Sequence, residues 1–189
     1  MDTARSHSIE NPDDFDERDF RTALGRFGSG ITVVTTCTPT GEREGLTVNA
    51  FSALSLHPPM ILWCIRNTAP SRRAFEQSEY FGINVLSASQ RQLSVQFATP
   101  REDKFIGVEC DKGLAGIPLI AGALARFECR QHSRHQGGDH VIFFGRVERF
   151  SYQDGEPLLF SSGRYAIPAP HPEDAGRPAD ATEFADLLL

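Results

Sequence analysis

Histidines are concentrated in one short segment, His132 to His140, which reads His-Ser-Arg-His-Gln-Gly-Gly-Asp-His. Imidazole groups bind metals and transfer protons near neutral pH, so such a segment could do chemistry. On a strand, however, His132 and His135 would face opposite sides, and no cysteine lies in the segment to complete a familiar zinc set. The spacing therefore does not favour a metal site.

The end of that segment, Gly137-Gly138-Asp139-His140, suits a different kind of site. Two glycines let a backbone or a flat ligand approach closely, or permit a positive φ. Asp139 can orient a neighbouring group, and His140 can donate one hydrogen bond while it stacks against a ring. The alternative is a glycine-rich hairpin turn with a surface histidine, which the segment taken alone favours.

A second polar stretch runs from Gly45 to Pro59. Apolar and polar residues alternate from position 46 to 51, which predicts a strand. Small and hydroxyl-bearing residues follow, and Pro58-Pro59 remove two backbone donors and fix two φ angles. Such a strand end could form the rim of a ligand site; an ordinary strand followed by a serine-rich turn is the alternative.

The sequence lacks the signatures of other common sites. Neither G-x-S-x-G nor H-E-x-x-H occurs, so no hydrolytic machinery is visible. Gly25, Gly28 and Gly30 follow a predicted helix and precede a predicted strand in the order G-x-x-G-x-G. A dinucleotide fingerprint needs the reverse order and context, which argues against a Rossmann site.

The net charge of −6 is unevenly distributed over the 189 residues. Residues 1–19 contribute −5 and residues 166–189 contribute −4, so residues 20–165 are mildly basic at +3. Arginines in that span suit phosphorylated small molecules, whereas nucleic-acid binding would need a concentrated basic patch. No apolar run approaches the roughly twenty residues of a membrane span, and four scattered cysteines are typical of a reducing cytoplasm.

Hydrophobic periodicity predicts one mainly β domain with flanking helices over residues 13–165. Helices are expected at residues 13–27, from residue 68 and at 87–98, and strands at 31–36, 46–50, 60–65, 80–86, 123–130, 140–150 and 157–160. Many strands with short loops predict a closed or nearly closed antiparallel barrel. Residues 1–12 are expected to form a disordered N-terminus and residues 166–189 a Pro/Ala/Asp-rich tail, which could end in a short docked helix at 184–189.

Several motifs follow one another in a defined order and spacing between Phe20 and Tyr165. They are FRxALGxFxxGITVVT from Phe20, GxTxNxFxxLSxxPP from Gly45, YFxINVL from Tyr80 with Gln90, then Phe97-Ala98, Lys104-Phe105 and Gly138-Asp139-His140. This series resembles the flavin reductase-like family, the small reductase components of two-component flavin monooxygenases. Ala50 stands where that family often has serine, which removes one possible hydroxyl contact.

The resemblance implies a split β-barrel homodimer of the FMN-binding type, with flavin bound near the dimer interface. It also implies hydride transfer from NADH or NADPH to FMN or FAD, and delivery of reduced flavin to a separate oxygenase. A flavin oxidase of the pyridoxamine-phosphate-oxidase type and a flavin carrier without turnover remain alternatives.

The resemblance also implies, by position, which residues contact the ligands. The flavin ring and ribityl chain would contact Thr47, Asn49, Ala50, Phe51 and Ser52. The phosphate would contact Asn67, Thr68, Ser71 and Lys104. The nicotinamide would contact His140, with Tyr165 closing that side.

Overall fold

The structure, a computed structural model, describes residues 15–174. The helices are α1 (Glu17–Leu24), α2 (Arg72–Gln77) and α3 (Arg91–Ala98). The strands are β1 (Ser29–Gly30), β2 (Thr32–Cys37), β3 (Arg43–Val48), β4 (Phe51–Leu56), β5 (Pro59–Arg66), β6 (Tyr80–Val85), β7 (Cys110–Lys112), β8 (Pro118–Ile120), β9 (Ala125–Gly137), β10 (His140–Tyr152), β11 (Leu159–Ser161) and β12 (Arg164–Ala166).

Seven strands form one antiparallel sheet in the order β3-β2-β6-β9-β10-β5-β4. A three-stranded sheet, β1-β11-β12, and a two-stranded sheet, β7-β8, complete the β structure. The expected class, mainly β with flanking helices, is confirmed. The large sheet is not closed into a barrel, because β3 and β4 remain as its two edges.

The core is built around Trp63 on β5, which is fully buried. Its indole stacks on Phe143 at 4.7 Å between ring centroids and meets Phe75 edge-on at 4.9 Å. Aromatic side chains bury large areas, so this group anchors β5 and β10 against α2. The strand that carries Trp63 and the strand that carries Phe143 are also the two that lead to the candidate site.

Asn84, which belongs to the YFxINVL motif, is buried and links neighbouring strands by side-chain hydrogen bonds. Its side-chain amide donates to the Val33 carbonyl at 3.0 Å and accepts from the Ile120 N–H at 2.8 Å. A buried polar side chain is tolerated when its hydrogen bonds are made, and these bonds tie β2, β6 and β8 together. Asn84 therefore serves the fold.

Helix α1 is shorter than the predicted helix over residues 13–27. The Asp16 side chain caps it by accepting from the Asp19 N–H at 2.8 Å, and it ends at Gly25. Residues 13 and 14 lie outside the described residues. None of the residues of α1 is buried, although one of its faces is apolar.

Several other boundaries differ from the prediction, and two of the differences arise because pairing within a hairpin extends strands that local sequence would end. The expected serine-rich turn is strand β4, which pairs with β5. The expected polar loop after residue 130 belongs to β9, which pairs with β10 as far as Gly137. Helix α2 begins at Arg72 rather than near residue 68, and β12 includes Ala166. The predicted disorder of residues 1–12 and the helix at 184–189 lie outside the described residues.

Among residues 15–174, the structure contains no helix that is both long and apolar enough to cross a membrane.

Candidate functional site

The candidate site begins where β5 ends beside the turn between β9 and β10. His140 is paired with Gly137 across that turn and with Arg66 across the neighbouring strand. Gly138 has φ of +59°, a conformation that glycine adopts without strain. The two glycines thus build a tight turn that presents Asp139 and His140 at the end of β5.

The His140 ring is held by Asp139. Nδ1 of His140 lies 2.7 Å from Oδ1 of Asp139, and 35% of the histidine side chain is exposed. This hydrogen bond, together with the charge attraction of His140, lowers the pKa of Asp139. An ionised Asp139 only accepts, so Nδ1 donates to it. Nε2 is then the ring nitrogen left for a ligand.

The loop after β5 is braced against the same turn. The Asn67 N–H donates to the Asp139 carbonyl at 2.8 Å, and the Asn67 side-chain amide donates to the Gly138 carbonyl at 3.2 Å. The Arg72 guanidinium donates to the side-chain oxygen of Asn67 at 3.2 Å and pairs with Glu76. Asn67 and Arg72 therefore fix the loop, and Thr68 between them is exposed.

A cleft of about 220 Å³ lies on the other side of that loop. It separates β3 from the segment that follows β5, and it opens beside the end of α3. Apolar side chains form part of its wall, and Thr47, Ser71 and Lys104 contribute polar groups. The lining residues are Glu44, Leu46, Thr47, Ala69, Pro70, Ser71, Phe97, Ala98, Pro100, Arg101 and Lys104.

The ammonium group of Lys104 is fixed at this cleft. Nζ donates to the carbonyl oxygens of Gly45 at 3.0 Å and Phe97 at 3.2 Å. Desolvation by burial lowers the pKa of Lys104, and the charge of Glu44 partly opposes that effect. An ammonium has three donors, so one remains for an anion in the cleft.

A chain of hydrogen bonds links Thr47 to Tyr165. The Thr47 hydroxyl donates to the Ser94 carbonyl at 2.7 Å, and the Ser94 hydroxyl lies 2.8 Å from the Tyr165 phenolic oxygen. The Arg91 guanidinium stacks on the Tyr165 ring at 4.9 Å. Thr47 and Tyr165, which are 118 positions apart in the sequence, therefore meet at α3.

The turn between β3 and β4 contains the other expected flavin contacts. Asn49 and Ala50 are exposed, and the Ala50 carbonyl accepts from the Cys64 N–H at 3.1 Å. Phe51 packs on the core beside Phe127 at 6.1 Å, so its ring faces inward. The Ser52 hydroxyl is exposed on the edge strand β4.

Five of the predicted residues form two adjoining groups. Thr47, Ser71 and Lys104 share the cleft, whereas His140 and Asn67 share the turn at the end of β5. Loop 67–71 connects the two groups. His132 and His135 lie on β9, and among residues 15–174 no set of three metal-ligating side chains is close enough to hold a metal ion.

The sequence matches the family model described as "Flavin reductase like domain" over residues 24–168. The chain belongs to this family. That membership confirms the family expected from the motifs and, with it, the class of oxidoreductases that reduce flavins.

Named relatives are similar over most of the chain. FMN reductase (NADH) SmoA of Agrobacterium fabrum is 45% identical over 78% of this chain and 84% of its own. The reductase subunit HsaB of a flavin-dependent monooxygenase from Rhodococcus jostii is 39% identical over 84% of this chain and 85% of its own. The solved structure of the NADH:FAD oxidoreductase SgcE6 of Streptomyces globisporus, in complex with NAD and FAD fragments, is 36% identical, covers 88% of this chain and 99% of that chain, and has a TM-score of 0.80.

The residues of this flavin reductase-like chain fit part of a flavin. A cleft of about 220 Å³ is smaller than the roughly 300 Å³ at which small-molecule sites begin, so it would hold one end of the molecule. Lys104 and the Ser71 hydroxyl suit a phosphate, whereas the Thr47 hydroxyl, which already donates to Ser94, can accept from a ribityl hydroxyl group. The exposed turn at Asn49 and Ala50 would then lie beside the ring.

Sequence reasoning missed Ser94 and Arg101. Ser94 is fully buried in α3. Its place in the sequence, between residues 93 and 97 that were expected to face inward, could have predicted a buried hydroxyl. Arg101 reaches the cleft from a segment that the sequence shows only as charged and loop-like. Its position depends on the fold of that segment, which no local pattern predicts.

Proposed function

We propose that this chain transfers reducing equivalents from NADH or NADPH to FMN or FAD, and that the reduced flavin serves a separate flavin-dependent oxygenase. The observation that carries the proposal is the meeting of the Lys104 cleft and the His140 turn along loop 67–71. One group suits the phosphate end of a flavin, and the other suits a nicotinamide. Two adjoining subsites are what a reaction between two small molecules requires.

Hydride passes between C4 of the nicotinamide and N5 of the flavin, so the small molecules supply the chemistry. The protein must hold the two rings within about 3–3.5 Å of each other and keep water out. This task needs shaped, rigid walls and no nucleophile. The hydrogen bonds from Asn67 to Gly138 and Asp139 give one such wall.

On the flavin side, the contacts proposed are the side chains and backbone of Thr47, Asn49, Ala50, Phe51 and Ser52. The inward packing of Phe51 supports a contact through its backbone rather than its ring. Within residues 15–174 the Ala50 N–H has no hydrogen-bond acceptor, so it can donate to the flavin. Backbone donors near the N1–C2 edge would stabilise the negative charge of the reduced flavin.

For the phosphate end, Ser71 and Lys104 are favoured over Asn67 and Thr68. Ser71 and Lys104 line the cleft, whereas Asn67 is occupied by the His140 turn and by Arg72. A charge-assisted hydrogen bond from a half-buried ammonium to a phosphate is about twice as strong as a neutral one. Lys104 is therefore the main phosphate contact proposed.

On the nicotinamide side, His140 is the proposed contact. Asp139 holds Nδ1, which leaves Nε2 to form a hydrogen bond with the carboxamide of a nicotinamide. This bond would orient the ring that gives the hydride. Tyr165, held by Ser94, is the proposed boundary on the α3 side.

A homodimer is proposed from an exposed apolar face. Helix α1 leaves 47% of Phe20 and 57% of Leu24 exposed, and Phe27 just beyond it is 82% exposed. The edge strand β4 exposes Leu54 and Leu56 as well. Apolar surfaces of this kind are typical of contacts between chains, and a second copy would also cover the exposed turn beside the flavin.

An oxygenase partner is proposed because relatives such as HsaB are named as reductase subunits of monooxygenases. The test of the whole proposal is to mix the chain with each of NADH and NADPH and each of FMN and FAD, and to follow nicotinamide absorbance. Consumption with at least one pair is expected. Bound flavin without consumption in any pair would contradict the proposal and favour a carrier.

A further inference from the structure

A second cleft, which we call the arginine cleft, lies away from the residues proposed to hold the flavin ring. Its volume is about 500 Å³, within the range of small-molecule sites. One wall is α1, and the other is the turn between β11 and β12. The cleft is lined by Arg18, Arg21, Thr22, Gly25, Arg26, Ser162, Gly163 and Arg164.

The two walls are held in contact at Gly25. The Ser162 N–H donates to the Gly25 carbonyl at 2.7 Å, and a side chain at position 25 would approach the Ser162 Cα to 3.6 Å. Ser162 and Gly163 both have positive φ, of 50° and 77°, which makes the turn tight. The cleft is therefore shaped by close backbone packing.

All charged side chains that line this cleft are arginines. Three other clefts among the described residues each include a carboxylate, from Asp111, Glu44 or Glu148. Among the described residues, Arg21 pairs with Glu17 on the surface, whereas Arg18, Arg26 and Arg164 form no salt bridge. The three guanidinium groups without such a partner repel one another unless an anion binds, and guanidinium groups match phosphate oxygens in a bidentate geometry.

Helix α1 packs its polar face on the domain and exposes its apolar face, which is unusual. Arg18, Arg21 and Gly25 lie on the face that meets the β11–β12 turn, and the exposed apolar residues Phe20 and Leu24 lie on the other. A surface helix normally packs its apolar face on its own domain. The orientation of α1 thus directs arginines to the cleft at the expense of apolar burial within the chain.

The cleft is next to the proposed site in the fold. Arg164 precedes Tyr165 on β12, and their side chains point to opposite faces of that strand. Because β12 is an edge of its sheet, a long ligand can pass around it from the Tyr165 side to the arginine side. FAD and NAD(P)H share one long, doubly charged portion, adenosine diphosphate.

We propose that the arginine cleft binds the adenosine diphosphate half of a dinucleotide, either FAD or NAD(P)H. This rests on the proposed flavin reductase activity, since that activity brings these dinucleotides to the chain. Arg18 and Arg164 reach the cleft from opposite walls and would hold the two phosphates. Arg21 and Arg26 add positive charge.

The direct test measures ADP binding to the full chain by calorimetry. The double variant Arg18→Ala/Arg164→Ala is expected to weaken ADP binding at least tenfold, while adenosine, which lacks phosphate, shows no such loss. The control Arg146→Ala/Arg149→Ala removes the same charge from β10 and is expected to change ADP binding less than twofold. Circular dichroism verifies that both variants fold.

Steady-state kinetics then identify the source of the diphosphate. A raised KM for FAD with an unchanged KM for FMN assigns the cleft to the flavin; a raised KM for NADH with FMN as acceptor assigns it to the nicotinamide donor. ADP binding that is undetectable, unaffected by Arg18→Ala/Arg164→Ala or equally weakened in the control overturns the proposal. Absence of turnover by the unmodified chain would instead overturn the proposed activity, because ADP binding is measured without turnover.

Discussion

Nδ1 of His140 lies 2.7 Å from Oδ1 of Asp139, and the backbone carbonyl of Asp139 accepts from Asn67 on the loop after β5. The imidazole is thus fixed by its neighbour, and its neighbour is fixed by the adjacent strand. Such support lets a side chain orient a ligand without first being ordered by it.

The His140 contact predicts a specific kinetic loss. In His140→Ala, kcat/KM for NADH should fall by about tenfold, since a hydrogen bond of about 1.5 kcal/mol to the nicotinamide would be lost. Flavin binding, measured by fluorescence titration, should stay nearly unchanged. Asp139→Asn, which keeps the size of the neighbour, should lose less. Unchanged turnover in His140→Ala would contradict the role.

The lowered pKa of Lys104 predicts a pH dependence for FMN. As pH rises through that lowered pKa, the ammonium loses its charge, so KM for FMN should rise at a lower pH than an ordinary lysine would produce. Lys104→Arg retains the charge and should keep KM flat between about pH 7 and 10. Riboflavin, which lacks the phosphate, is the control substrate. An equal rise with riboflavin would contradict the assignment.

The close approach at Gly45 predicts a loss of stability. A Cβ at this position would lie 2.7 Å from Cε1 of the buried Phe97, which forms the cleft wall. Gly45→Ala should lower the free energy of unfolding by about 1–3 kcal/mol through overpacking. Urea denaturation measures the change. Gly30→Ala, where a Cβ meets no atom within 4 Å, should be close to neutral.

The exposed face of α1 predicts the assembly state. Light scattering with size-exclusion chromatography should show a dimer for the unmodified chain and a monomer, or a concentration-dependent mixture, for Phe20→Asp/Leu24→Asp. A buried charge at an interface costs several kcal/mol. The control Ile106→Asp changes an exposed apolar residue elsewhere and should leave the dimer intact. A monomeric unmodified chain would exclude the proposal.

The sequence predicts the interior strands well because their residues suit only one structure. The β-branched run of β2 and the apolar run of β5 were both expected, and both lie in the sheet. Strand β4 was missed, since serines and alanine at 52–55 have weak preferences of their own and extend only because β5 offers a hydrogen-bonding edge.

For the site, residue types were easier to predict than contacts. Asn67 carries the expected amide, yet that amide binds the turn at Gly138, a contact across 71 positions that depends on the pairing of β5 with β10. Phe51 follows the expected motif, yet its ring joins the core. Local patterns identify groups that can bind, whereas long-range packing decides which of them are already used.

Trp63, at the centre of the aromatic core, is the chain's one tryptophan. Its indole lies on β5, which leads to the His140 turn, so tryptophan fluorescence comes from a single known place in the core. Flavin binding should quench that emission by energy transfer, and denaturation should shift it to longer wavelength as water reaches the indole. One unlabelled signal thus reports both ligand occupancy and the integrity of the core.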